Sequence, residues 1–535
     1  MFRLRRGFDL AVMLCLVVAS VTAAQARTSN PIIRNLRVDN GGHPFAGDRM
    51  LLATVVPGGD HGRAFIRFKL ARAALVTLDI GPTRRVPLQP IYHEEEQFAA
   101  GSHVLTWIPP ASTPPGTYLC QLTVQSDRGL VHYGALSSEA AHRRGTALGP
   151  VIRVQGLDGF FNVQGTFPER TVELTVSADA PALTLQFFRF GGTASYDTNA
   201  TTLTGDPMGP PVQLDWSRWR SRPRSLHVAI GNWPSGLYFV RLEAGDGRRG
   251  FAPLVVWPAH PSAARVAVVL PTYTWQAYNF YDKNGDGYGD TWYMGEEQRH
   301  VNLARPYLSR GVPLHFGEWD AVALSWFAMH AAGADYLTDG YMDQASAAAL
   351  RANYDLVVFE GHEEYVSPHT YNAVTGYRNL GGHLIFMSAN NFFWRTKRVA
   401  NVLTRTAHWR SLGRPEAALV GAQYRGNDAG GRLAAFQVRG SDQLPWLFTG
   451  CGLSNGDSFG SYGFEIDARA AASPPQTVLV AQAPALYGAG VDAEMTYYET
   501  TAGAMVFDAG ALNFGGTVRS GPAGCILQNL FDHTH

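Results

Sequence analysis

The chain has 535 residues, enough for three or four cores and too many for one ordinary domain. Apolar residues make up 46% and charged residues 16%, which excludes a disordered or highly charged tail protein. Lys plus Arg (44) balances Asp plus Glu (44), so there is no basic surplus to hold a nucleic-acid backbone.

The N-terminus reads as an address. Arg3, Arg5 and Arg6 precede an apolar stretch over 10–21 that is shorter than a bilayer span. Ala24-Gln25-Ala26 is a small-x-small cleavage signal, so residues 1–26 are expected to be a signal peptide and the mature chain to begin at Arg27. An uncleaved membrane anchor is the alternative. No later stretch is long and apolar enough to span a bilayer. The expected location is therefore secreted or periplasmic, where disulfides persist. Without the leader, Cys120, Cys451 and Cys525 remain, so at most one intramolecular bridge forms. Cys120 lies in an alternating strand over 118–124 and is expected to be a buried, inert thiol. A Cys451–Cys525 bridge is left open.

Residues 27–150 and 151–260 show short alternating strands punctuated by turns. Pro114-Pro115-Gly116-Thr117-Tyr118 is echoed by Pro234-Ser235-Gly236-Leu237-Tyr238. These blocks read as two all-β, immunoglobulin-like sandwiches. Trp257-Pro258-Ala259-His260-Pro261 reads as a linker.

From 261 to 535 the period changes. Continuous apolar runs at 265–270, 354–359 and 383–387 mark strands buried on both faces. Ser367-Pro368 starts a helix and Gly381-Gly382 ends it, giving a strand–helix–strand unit. An Ala-rich segment over 319–334 reads as another covering helix. The fold expected is an open α/β domain, whose ligands bind beyond the carboxyl ends of strands. Three such ends carry a Tyr cluster at 273–281, Gly361-His362-Glu363-Glu364-Tyr365, and Ser388-Ala389-Asn390. That composition suits a polar site with aromatic walls. Glu363 and Glu364 are expected to point apart, which discounts a glycosidase-like carboxylate pair. No cysteine follows these strands, so a Cys–His amidase mechanism is not expected.

Several collinear segments resemble the catalytic domain of the N,N-dimethylformamidase large-subunit family: Leu270-Pro271-Thr272 through Trp275-Gln276-Ala277-Tyr278-Asn279, Gly361-His362-x-Glu364-Tyr365, Gly382 through Asn390 to Trp394, and Gly463-x-Glu465-x-Asp467. The resemblance spans about 265–535, and the open sheet is also similar to glutamine-amidotransferase-like domains. It implies a mononuclear iron, ferric in character, held by two tyrosinates and a glutamate. By position these are Tyr278, Tyr281 and Glu364, with Tyr273 the alternative to Tyr278. It further implies catalytic roles for His362, Asn390 and Glu499. The activity implied is hydrolysis of a carbon–nitrogen amide bond with iron-activated water, the partner being a small amide or amide-bearing substrate. A homo-oligomer is compatible with the sequence.

A second metal competes. Asp282, Asn284, Asp286 and Asp290 fall at positions 1, 3, 5 and 9 of a calcium-type loop, with Gly287 at position 6. Tyr293 stands where an EF-hand has its bidentate Glu. The rival reading of the whole chain is a non-enzymatic, secreted, calcium-stabilised binding protein that uses its β-sandwiches.

Overall fold

The computed structural model describes residues 32–534 except 42–51, 60–61, 83–87, 115, 134–150, 155–156, 179, 195, 197–202, 221, 282, 284–289, 294–298, 309 and 429. The leader and most of the 282–290 loop lie outside the described residues. Among the described residues no helix is long and apolar enough to cross a membrane.

The fold is β-dominated. In the first module a three-stranded sheet (Ile33–Asp39, Ala64–Leu70, Gly101–Trp107) faces a larger one built around Ala74–Pro82 and Gly116–Ser126. Inward residues of both, such as Ile66, Trp107, Leu78 and Cys120, share one core. Cys120 is fully buried, and burial pushes its thiol pKa upward. Strand Val151–Val154 pairs with Leu52–Val55 and with the start of Gly116–Ser126, so the chain leaves this sandwich only after Val154.

The second module repeats the design. Asp158–Phe161, Thr171–Ser177 and Arg224–Ala229 face a sheet centred on Gly236–Ala244 and Arg249–Val256. The sequence echo has a physical basis. Tyr118 donates its hydroxyl to the Pro114 carbonyl at 2.8 Å, and Tyr238 donates to Pro234 at 2.7 Å. Each ring thereby clamps the turn that launches its own strand, as in a tyrosine corner.

The third region is organised by a nine-stranded sheet. Asp335–Thr338, Val266–Leu270, Leu356–Phe359, His383–Phe386 and Met505–Asp508 lie side by side and parallel. Ala493–Glu499, Val478–Ala483, Leu433–Val438 and Ser458–Gly463 continue it antiparallel. The sheet is therefore mixed: five strands are parallel, among them the three apolar runs, and four continue it antiparallel. The antiparallel strands carry polar residues and bulges, so their periodicity is broken. The strand–helix–strand unit has the expected form: Ser367 Oγ accepts from the Thr370 N–H at 3.1 Å, Pro368 opens the helix Pro368–Asn379, and Gly381 follows at φ 85°.

Register at the amino end of the parallel strands is set by charge. Arg265 Nε and Arg351 Nη1 each donate to Asp355 at 2.7 Å, joining the starts of two neighbouring strands. The Arg265 hydrogen bond, with Arg351 adding to it, lowers the Asp355 pKa to about 2. A depressed carboxylate contributes stability above its unfolded value of about 3.9, and that stability is lost as pH falls through about 2. The Asp355→Asn variant is expected to show a flatter decline of melting temperature between these values than the parent. Parallel acid limbs would refute the clamp.

Cys451 and Cys525 are joined by a disulfide across 74 residues, tying the Pro445–Phe448 turn region to the last helix, Gly521–His533. Replacing both by Ser is expected to cost about 4 kcal/mol if chain entropy dominates. This is read as a lower denaturation midpoint than the oxidised parent; equal midpoints would mean the bridge does not stabilise the fold.

Candidate functional site

The site forms where the parallel strands end. Strand Val266–Leu270 runs through Pro271 into the short helix Thr272–Ala277, which delivers Tyr278. Leu356–Phe359 ends one residue before Gly361-His362-Glu363-Glu364. His383–Phe386 leads to Asn390, held at φ 56°. Thr274 Oγ1 accepts from the Glu364 N–H at 3.2 Å and fixes the first two ends against each other.

The side chains then converge. The Tyr278 hydroxyl donates to Glu364 Oε2 at 2.7 Å and lies 3.3 Å from Glu465 Oε1 and 3.2 Å from His362 Nε2. His362 Nε2 is 3.3 Å from Glu364 Oε2 and 3.8 Å from Glu465 Oε2. Asn390 Nδ2 donates to Glu465 Oε2 at 2.6 Å, and its backbone N–H donates to Asp467 Oδ1 at 2.8 Å. All are buried. Tyr293, Tyr365 and Trp292 pack beside Tyr278 or one another as aromatic walls.

The electrostatics follow from crowding anions in a dry place. Burial, then Glu364 and Glu465, push the Tyr278 pKa far up. Burial raises Glu465 too, opposed by His362 and reinforced by Glu364. For His362 burial works downward, but Glu465 and Glu364 outweigh it and the net shift is upward. Glu363 turns the other way, against Asp339, as expected of an adjacent pair.

Not every expected residue is here. Tyr281 lies in a separate apolar cluster with Leu119, Val151, Phe280 and Leu308, at the contact with the first sandwich. The turn after Tyr278 explains this: Asn279 Oδ1 accepts from the Tyr281 and Leu308 N–H groups at 3.2 and 3.1 Å, and Arg305 donates to the Tyr281 carbonyl at 2.7 Å. Tyr273, the alternative, is committed to Asp343, to which its hydroxyl donates at 2.5 Å. Glu499 sits at the opposite end of the sheet. It pairs in register with Met505, at the amino end of the last parallel strand, and accepts from Tyr497. The second glutamate beside Tyr278 and His362 is Glu465. Asp290 accepts from the Lys283 N–H at 3.0 Å; Asp282, Asn284 and Asp286 lie outside the described residues. The signal that marks Glu465 is its spacing from Asp467 within Glu465–Ala468, where two carboxylates alternate in a buried strand.

Among the described residues no three His, Cys, Asp or Glu side chains are arranged to hold a metal ion by themselves. A metal at this cluster would therefore draw on the Tyr278 phenol oxygen. Phenol and carboxylate oxygens are a hard donor set that fits a ferric ion.

The profile of a family described as N,N-dimethylformamidase beta subunit-like, C-terminal, matches residues 192–525, more than half of the chain. No match is found among curated proteins. Among solved structures, trypsin-activated alpha-2-macroglobulin from Escherichia coli is 14% identical, covering 39% of this chain and 16% of that one at a TM-score of 0.19. The FN1-FN3 domains of chicken CNTN1 are 10% identical, covering 41% and 65% at a TM-score of 0.13. Those scores are too low to indicate a shared fold.

Proposed function

The chain belongs to the N,N-dimethylformamidase beta subunit-like family, and on that premise we propose that it is an exported, iron-dependent hydrolase of a carbon–nitrogen amide bond. The observation that carries this reading is the buried convergence of Tyr278, Glu364, Glu465 and His362 at the carboxyl ends of parallel strands. Three acidic oxygens facing one imidazole in a dry place call for a cation. Tyr278, Glu364 and Glu465 would hold it. When bound, a ferric ion supplies Lewis acidity toward an amide carbonyl and a water.

The chain's own residues divide the remaining work. His362 holds a proton at Nε2 and is placed to pass it toward the leaving nitrogen. Asn390 offers an amide N–H for the oxyanion, a contact worth roughly 3 kcal/mol. The aromatic walls keep bulk water out and strengthen both interactions. Export rests on the leader sequence and agrees with the Cys451–Cys525 bridge.

A second reading, a secreted calcium-stabilised binding protein, draws on a cavity of about 300 Å³ bounded by Phe167 and Trp257 of the second sandwich and Tyr341 and Ala349 of the third region. It lies away from the Tyr278 cluster.

Metal analysis and a visible spectrum of the purified mature chain separate the two. The enzyme reading expects near-stoichiometric iron and a tyrosinate-to-iron absorption band that Tyr278→Phe removes. In a screen of small amides, Glu364→Ala and Glu465→Gln should each lower kcat/KM by about 100-fold or more. Glu499→Ala should stay near the parent. A colourless chain that takes up only calcium and turns over no amide would overturn the proposal.

A further inference from the structure

Behind the Tyr278 cluster, on the face of the sheet that packs against Pro368–Asn379, a second group of oxygens is buried. Asp508 ends the last parallel strand and is fully buried, as are Thr496 and Asn391; Asp467 is 1% exposed. Asp508 is linked directly to Thr496 and Asn391, and to Asp467 through the backbone. Thr496 and Asp508 are direct cross-strand partners, so their side chains share one face. Asn391 Nδ2 donates to Asp508 Oδ1 at 3.3 Å. The Asp467 N–H donates to the Gly510 carbonyl at 3.1 Å, two residues past Asp508.

Three oxygens in this group have no hydrogen-bond partner: Asp508 Oδ2, Asn391 Oδ1 and Thr496 Oγ1. A buried polar atom left without a partner is unfavourable, because it has lost its water and gained nothing in return. Asp508 has a second carboxylate, Asp467, together with the Asn391 amide and the Gly510 N–H beside it, and His362 faces Asp467 from the Tyr278 cluster. Gly421, at φ 100°, keeps the approach open; a Cβ there would come 3.1 Å from Thr496 Oγ1. A proton on Asp508 would satisfy only one of the three bare oxygens. A divalent cation would neutralise both carboxylates and occupy the amide and hydroxyl oxygens at once.

We propose that Asp467, Asp508, Asn391 and Thr496 form a second, structural metal site that binds calcium. The donors are all oxygen: two carboxylates, one amide carbonyl and one hydroxyl. That is the ligand chemistry of calcium rather than of a transition metal. Magnesium, which keeps several of its waters, suits so dry a place less well. The site is distinct from the 282–290 loop and does not depend on the amidase reading. Its consequence is mechanical. Asn390 and Phe392 both sit at positive φ, 56° and 59°, a conformation that non-glycine residues adopt only when held. Asn391 lies between them and would ligate the ion. Asp467 holds the Asn390 N–H, so the ion fixes the turn that presents Asn390 to Glu465.

The test uses the full mature chain, stripped with a chelator during mild unfolding and then refolded with or without calcium chloride. Melting temperature and bound calcium are measured for the parent, Asp508→Asn, Thr496→Val and Asp286→Asn. The parent should gain a saturable rise of about 5 °C or more with calcium. Asp508→Asn and Thr496→Val should lose that rise and one equivalent of bound calcium, and Asp286→Asn should keep both. If Asp508→Asn does not fold, Thr496→Val decides. The proposal is overturned if the parent shows no calcium dependence, or if the rise persists in Thr496→Val. Neither readout involves iron or amide turnover, so it can fail while the amidase reading stands, and the reverse.

Discussion

The third region is shaped by one electrostatic constraint: several carboxyl groups are buried together where the parallel strands end. Taking an ionised carboxylate out of water costs several kcal/mol even after relaxation, and each further one beside it raises that cost. Glu360, Glu363, Asp339, Asp320, Glu465, Asp467 and Asp508 are all buried and all shifted upward, with burial the leading cause in each. A fold does not accumulate such groups for stability, because apolar residues of similar size would serve it better. They are concentrated where the sheet topology puts ligands, beyond the carboxyl ends and near the crossover between strand neighbours. That placement is what the proposed metal reading rests on.

Holding these groups together requires the strand ends to be placed closely, and specific backbone features do so. Gly361 passes so near Pro271 and Asp320 that a Cβ would come 2.5 Å from Asp320 Oδ1 and 2.8 Å from Pro271 Cγ. Any larger residue there would push His362 and Glu364 away from Tyr278. The Phe392 and Trp394 N–H groups donate to the Glu363 and Glu364 carbonyls at 2.7 and 2.9 Å, so the third strand end is tied to the second by backbone. At the amino end the Arg265–Asp355–Arg351 clamp aligns the same strands. Position along the sheet is thus fixed at both ends, and the site inherits that precision.

What was legible in the sequence was what local pattern determines. The three buried parallel strands, the Ser367-Pro368 helix start, the repeated tyrosine turn and the buried Cys120 all announce themselves within a few residues. The segments that hold Tyr278, His362, Glu364 and Asn390 came with them, because each closely follows a recognisable strand, and the family resemblance picked those residues out. Glu465 stands in a matching segment but with no role given to it, since it reaches the cluster from a short strand paired with Gln423–Asn427, a long-range contact whose register no local period encodes. Tyr281 is three residues from Tyr278, yet it faces another module, because Asn279 and Arg305 turn the chain between them. Spacing from a motif predicts direction only while the backbone stays regular. Glu499 shows the same limit, for a strand running antiparallel carries its far end away from the site.

The second sandwich is not an appendage on a hinge. Its Phe188, Phe239 and Phe251 belong to the same apolar core as Val268 and Phe316, and the Phe239 and Phe316 rings lie 5.6 Å apart. Ser235 Oγ accepts from the Tyr336 N–H at 2.8 Å, and the Phe251 N–H donates to the Arg310 carbonyl at 2.8 Å. Trp257, in the stretch that reads as a linker, donates its indole N–H to Thr338 Oγ1 at 3.2 Å. A cut there would expose large aromatic surface and strip partners from the edge strand Asp335–Thr338, which neighbours the strand that delivers Tyr278. The proline-rich stretch therefore marks a change of sheet rather than a boundary between independent units, and the sandwich is a wall against which the site-bearing sheet is built.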